Sequence, residues 1–156
     1  MKINVIVVGD LKEKYLSEAC KEYVKRISRF HAINITTIDE EKLPKAPSEA
    51  DISKCLVKEG SKIEKLLKGY IVVLDVRGEM IDSPKFAKII ESSALSYDTI
   101  TFVIGGSYGL CENIKRMANL RLSFSQMTFP HQLFRVMLLE QLYRATTITN
   151  NILYHK

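Results

Sequence analysis

A compact apolar run, Ile100 to Ile104, stops dead at Gly105-Gly106, and this break constrains the chain more than any other feature. The run is short and does not alternate with polar residues, so it reads as a strand covered on both faces. Tyr70 to Val76 repeats the signature with Asp75 as its interruption, and Ile3 to Val8 opens the chain in the same way before Gly9. Strands of this kind need helices above and below them. The fold is therefore expected to be α/β, with a mostly parallel sheet flanked by helices.

Between the strands the hydrophobic period changes. Leu11, Tyr15, Leu16, Ala19, Cys20, Tyr23, Val24, Ile27 and Phe30 mark one helical face. Ile33, Ile35 and Ile38 form a second, weaker strand, and Asp39 to Pro47 is a charged loop. Ser48 and Asp51 then spell a capping box. The helix they open buries Ile52, Cys55, Leu56, Ile63, Leu66 and Leu67, and Gly69 is its natural stop. Gly60 in the middle of this helix costs about 1 kcal/mol, which marks either a close neighbour or a tolerated defect. Arg77-Gly78 turns the chain out of the third strand, and Ser83 caps the next helix with Pro84 at its first position. Cys111 to Ala118 forms a short helix, and Leu120 to Phe124 a half-exposed strand.

The last helix runs from His131 to about Ile148. Its apolar residues, among them Leu133, Val136, Met137, Leu138, Leu142 and Tyr143, cover far more than one stripe. A domain of 156 residues has trouble burying such a helix, so a partner subunit is expected against it. Five β-α alternations over residues 1–156 suit one domain.

Charge narrows the partner. Lys plus Arg exceed Asp plus Glu by 23 to 18, which leaves both a polyanion-binding protein and a merely basic enzyme open. Cys20, Cys55 and Cys111 have no paired spacing, and the first two fall on apolar helix faces. They read as buried thiols in a reducing cytoplasm. The opening apolar run is too short for a signal peptide or a membrane span.

Ligands of open α/β sheets bind at loops beyond the carboxyl ends of strands, here 105–109 and 124–129. Gly105-Gly106-Ser107-Tyr108-Gly109 admits three readings. One is a nucleophile elbow built on Ser107, with Glu112 or Glu140 and then His155 in the required order, which would make a small serine hydrolase. Another is a seat for a cofactor carrying adenosine but no phosphate, since neither the dinucleotide fingerprint nor the P-loop lysine is matched. Leu74, Gly105 and the loop of Phe124, Ser125, Gln126, Met127, Thr128 and Phe129 would supply its apolar slot and backbone hydrogen bonds. The third is a tight turn without a ligand, as in a non-enzymatic basic RNA-binding module. His31, His131 and His155 lack metal-ligand spacing, and no metal is expected. Arg144 either pairs with Glu140 at i, i+4 or, like Arg135, clamps a phosphate. Tyr154-His155-Lys156 joins a ring for stacking, a titratable imidazole and a cation for phosphate.

Several segments are familiar together: MKINVIVVG, LKEKY, the KEG at Lys58 to Gly60, VIGGSYGL at Val103 to Leu110, LSFSQMTFPHQLFRVMLLEQLYRA from Leu122 to Ala145, and the closing YHK. Through them the chain closely resembles the ribosomal RNA large subunit methyltransferase H family over essentially its whole length. The loop near Asp39 to Pro47 is the departure. The family comprises small SPOUT-class enzymes that methylate N3 of a pseudouridine, position 1915, in 23S rRNA of assembled ribosomes. The resemblance implies a deep C-terminal trefoil knot that forms the S-adenosylmethionine pocket, and a homodimer. Carried over by motif, cofactor contacts fall on Leu74, on Gly105 and on Phe124 through Phe129. Within that chemistry Arg144 would supply positive charge and His155 would take the N3 proton. Arg135, Arg144, Tyr154, His155 and Lys156 are the expected RNA contacts.

Overall fold

All five apolar runs pair side by side in one parallel sheet of order β2-β1-β4-β3-β5. The computed structural model describes residues 1–156. Along the chain the elements are β1 (Lys2–Val8), α1 (Lys14–Ile27), β2 (Ala32–Ile38), α2 (Glu49–Glu64) and β3 (Tyr70–Met80). They continue with α3 (Ser83–Ser93), β4 (Thr99–Ile104), α4 (Glu112–Met117), β5 (Leu120–Ser123) and α5 (His131–Thr149). No helix is long and apolar enough to cross a membrane.

The central strands are apolar throughout because each pleat buries its side chains in one of two cores. Val5 and Val7 of β1, with Ile100, Phe102 and Ile104 of β4, face α1, α3 and α5. Ile6, Val8 and Val103 point the other way, toward Ile63 of α2 and Ile114 of α4. All six residues of β4 are buried. The period-2 alternation of a strand thus becomes invisible in sequence where both faces are covered.

Helix α5 packs against both α1 and α3 on one layer. Leu138 and Leu142, at 0% and 1% exposure, belong to the core of their own chain, as do Leu139 and Ala145. This corrects the reason for the helix's apolarity. Sheet below and a helix on either side bury three of its flanks within one chain. What remains is an outer stripe with Leu133 exposed and Met137 half-buried, bordered by Val136, which is half-buried against the core.

Local signals hold with adjustments. The Ser48 capping box is present, its hydroxyl accepting from the Asp51 amide at 3.1 Å while Asp51 accepts from the Ser48 amide at 3.0 Å. Helix α2 ends at Glu64 rather than running to Gly69, whose φ of +67° serves the approach to β3 instead. The cap of α3 is Asp82, not Ser83: its carboxylate accepts from the Lys85 amide at 2.8 Å. Tyr15 and Phe30 lie outside the buried face of α1. Strand β3 does not turn out at Arg77-Gly78 but continues to Met80, after an irregularity described below.

Candidate active site

A cleft of about 870 Å³ opens at the carboxyl ends of β3, β4 and β5. Leu74, Gly105, Phe124, Ser125, Met127, Thr128 and Phe129 line it; Gln126, expected with them, does not. A smaller hollow of about 490 Å³ between α2 and α4 contains none of these residues.

The glycine turn is built to tight tolerances. Gly109 adopts φ +80° and its amide donates to the Gly106 carbonyl at 3.0 Å. A Cβ on Gly105 would lie 2.5 Å from the Gly109 carbonyl oxygen, so only glycine fits there. The Glu40 carboxylate, reaching over from the end of β2, accepts from the Ser107 amide at 3.3 Å and from its hydroxyl at 3.1 Å. The second loop is braced by its own hydroxyls. Ser123 donates to the Ser125 carbonyl and the Met127 amide donates to Ser125 Oγ, each at 3.0 Å. Phe124 packs on Phe134 of α5 with ring centroids 4.8 Å apart.

The floor carries a charged group that sequence reasoning left unassigned. Asp75 accepts from Arg121 Nη2 at 2.6 Å and from the Arg77 amide at 3.1 Å, and Lys115 Nζ stands 3.5 Å away. Burial pushes its carboxyl pKa up, but Arg121, the Arg77 amide and Lys115 outweigh it and hold the group below the usual carboxylate range. Asp75, Arg77, Lys115, Tyr108 and His131 all line the cleft. The one available signal was a single carboxylate inside an otherwise apolar strand.

Ser107 is not arranged as a nucleophile. Its hydroxyl is bound to Glu40, while Glu140 and His155, the partners a triad would need, lie together elsewhere. No histidine accepts from Ser107, so the elbow geometry lacks its base.

Arg135 is also corrected. It is 3% exposed and donates from Nη2 to the Gly9 carbonyl at 2.7 Å, tying the start of α5 to the end of β1. A guanidinium facing inward presents nothing to RNA.

Arg144, Tyr154 and His155 do come together. Arg144 Nε donates to Glu140 Oε1 at 3.0 Å, its guanidinium carbon lies 4.8 Å from the Tyr154 ring centroid, and Nη1 is 3.4 Å from His155 Nδ1. Arginine only donates, so Nδ1 accepts. Tyr154 donates from its hydroxyl to the same Glu140 oxygen at 3.2 Å and packs edge-on against Tyr143. Its phenol pKa is raised, first by burial and then by Tyr23 and Glu140. Lys156 is exposed. The Glu140 hydrogen bond raises the pKa of Arg144 in spite of partial burial. Along α5, Arg144 is about 15 Å beyond Phe134, the last residue of the helix to line the cleft, from 1.5 Å of rise per residue. Within one chain, the cleft and this cluster are therefore separate.

Residues 1–155 match the family described as predicted SPOUT methyltransferase. Over all of both chains the protein is 50% identical to one from Methanococcus vannielii whose naming as a ribosomal RNA large subunit methyltransferase H is provisional. With the same complete coverage it is 47% identical to the ribosomal RNA large subunit methyltransferase H of Clostridium botulinum. Among solved structures, one described as a probable methylase family protein from Haemophilus influenzae Rd KW20 superposes with a TM-score of 0.57. That match covers 99% of this chain and 70% of the other at 12% identity, a likeness of fold alone. With matches of this extent, the chain belongs to the SPOUT methyltransferase family.

Proposed function

We propose that this protein transfers a methyl group from S-adenosylmethionine to 23S rRNA, at N3 of the pseudouridine at position 1915, in assembled cytoplasmic ribosomes. The observation that carries the reading is convergence. The residues expected to contact the cofactor, Gln126 excepted, meet in one cleft from the ends of three strands.

The cleft fits the cofactor. Its volume is in the range of small-molecule sites. Leu74, Leu122 and Phe124 offer an apolar slot for adenine, and the glycine turn leaves backbone groups bare for hydrogen bonding. The cofactor carries no phosphate, which agrees with the absence of a phosphate-gripping motif. When bound, it supplies an electrophilic methyl on a sulfonium. The protein's task is then to align the acceptor and to manage the N3 proton. Arg144 turns from His155 to the developing imide anion, which frees Nδ1 of His155 to receive the proton, while Tyr154 stacks on a base and Lys156 draws in phosphate.

Arg144, on which Tyr154 and His155 pack, stands about 15 Å along α5 from Phe134, the last residue of that helix to line the cleft of its own chain. The reading therefore requires a homodimer in which the partner's tail closes each cleft. The outer stripe of α5 around Leu133 and Met137 is the surface offered for that contact. The same reading takes residues 1–156 as one domain whose chain after β4 is knotted around the pocket.

The test is methyl transfer. Ribosomes lacking the modification should take up label from tritiated S-adenosylmethionine into 23S rRNA. Uptake should vanish when Tyr154 to Lys156 are deleted, with cofactor affinity retained. A wild-type protein that binds ribosomes without transferring label would be a binding module, and the enzyme reading would fall.

A further inference from the structure

The residues between Leu74 and Glu79 leave the sheet. Leu74 and Glu79 both register against Leu122 of β5, so Asp75, Val76, Arg77 and Gly78 have no partner on that strand. They form an extended bulge at the carboxyl end of β3. Asp75, Val76 and Arg77 line the cleft, and Val76 is 59% exposed.

The bulge is anchored from three elements. The Asp75 carboxylate, 6% exposed, accepts the Arg77 amide of its own strand and Arg121 of β5, and faces Lys115 of α4. Gly78 approaches β5 so closely that a Cβ would come within 2.6 Å of the Arg121 carbonyl oxygen. A four-residue excursion held this firmly has a fixed shape, and bulges re-aim side chains next to active sites. Here the re-aimed side chain is Arg77.

Arg77 differs from its charged neighbours in having no partner. Lys115 and Arg121 share Asp75, Lys115 also meets the exposed Glu112 at 3.4 Å, and Glu79 pairs with Lys85. The Arg77 side chain is exposed and makes no ion pair or hydrogen bond; only its amide is used. Three cations, Arg77, Lys115 and Arg121, thus stand at this edge against two carboxylates, Asp75 and Glu112. An unpaired guanidinium on a braced backbone lip matches the planar, bidentate recognition of an oxyanion.

We propose that the Asp75–Gly78 bulge is a second RNA contact of the cleft, in which Arg77 binds a backbone phosphate close to the nucleotide that enters it. This rests on the rRNA methyltransferase reading. The cofactor's carboxylate would satisfy a guanidinium equally. The surplus of positive charge and the outward exposure of Val76 and Arg77 favour the polyanion, which arrives from outside. Asp75, Lys115 and Gly78 act as positioning residues.

The experiment compares wild type, Arg77→Gln and Arg77→Lys on ribosomes lacking the modification, over a range of salt concentrations. Arg77→Gln should raise KM for ribosomes about 5–10-fold, as expected for losing one charge-assisted contact. It should also lower the slope of log affinity against log salt by about 0.7–0.9, the increment for one phosphate. Arg77→Lys should restore the salt slope and only part of the affinity, because the charge returns without the fork. S-adenosylmethionine affinity, read by calorimetry, should be the same in all three and certifies the fold. If wild type methylates ribosomes and Arg77→Gln matches it in KM and salt slope, the bulge does not touch RNA. A loss confined to cofactor affinity would make Arg77 a carboxylate clamp and overturn the proposal. A wild type that transfers no methyl group would instead overturn the parent reading, by a result independent of residue 77.

Discussion

At residue 60 the helix accepts a local penalty for a tertiary contact. Gly60 lies inside α2, and a Cβ there would meet Cys111 Sγ at 2.5 Å. Ile114 and the Cys111 Cβ would be at ordinary van der Waals distance. Gly60→Ala should therefore destabilise the protein even though alanine favours a helix by about 1 kcal/mol. Removing the sulfur reverses the sign: in a Cys111→Ala background the same change should stabilise by up to about 1 kcal/mol. A double-mutant cycle in urea measures this, and additivity would refute the contact. One residue earlier, Glu59 is 3% exposed and accepts from the Glu41 amide at 3.2 Å. Burial, then the charges of Glu40 and Glu41, push its carboxyl pKa up against the pull of that amide. A raised acid binds its proton more tightly when folded, so its contribution favours folding at low pH and is lost as pH rises through the folded pKa. Glu59→Gln keeps an oxygen for the Glu41 amide and removes the buried charge. It should raise the melting temperature at pH 7 and give no gain below about pH 4, where both states are protonated. Equal effects at both pH values would remove the buried charge as the cause.

Among the elements, α3 shows how a cap is chosen. In Ile81-Asp82-Ser83-Pro84 both polar residues are good N-caps, and Pro84 suits the first turn after either. The structure selects Asp82, which frees Ser83 to donate from Oγ to Gln141 Oε1 at 2.7 Å and join α3 to α5. Asp82→Ala should cost about 1 kcal/mol, visible as a lower urea midpoint at unchanged slope. A shift of a few tenths would return the cap to Ser83. Helix α5 divides similarly into faces with different duties. Charge at Leu138 or Leu142 would open the chain's own core and unfold it, so neither position can test association.

For the molecule as a whole, the distance between cleft and tail sets the sharpest expectation. Light scattering should give a dimer, and Leu133→Glu with Met137→Glu should yield folded monomers that still bind S-adenosylmethionine but lose methyl transfer. A second measurement addresses whose tail serves which cleft. Subunits lacking Tyr154 to Lys156, mixed and re-associated with full-length subunits whose Gly105 is replaced by leucine, should recover transfer up to half of wild type per mixed dimer. Each mixed dimer would have one intact cleft facing one intact tail. Mixtures as inactive as their parents would show that each chain completes its own site.

The sequence by itself determined the five strands and five helices, the two layers and the loops that form the cleft. These follow from local facts: an apolar run too short for a helix, a change of period, a glycine pair where a side chain would collide. It also carried the family in its motif blocks. Tertiary structure alone decided which residues meet. Asp75 and Arg121 are 46 positions apart, and Arg135 reaches a carbonyl 126 positions away. Contacts at such separations leave no periodic mark, so the cleft's charged floor and the inward turn of Arg135 were not legible. Neither was the extrusion of Arg77, since Arg-Gly reads as a turn until β5 is seen to press on Gly78. The apolar coat of α5 had two physical sources, flanking helices and an outer stripe, and hydrophobicity is the same whichever surface covers it. Only the packing of α1 and α3 separated the share buried within the chain from the share left on its outer face.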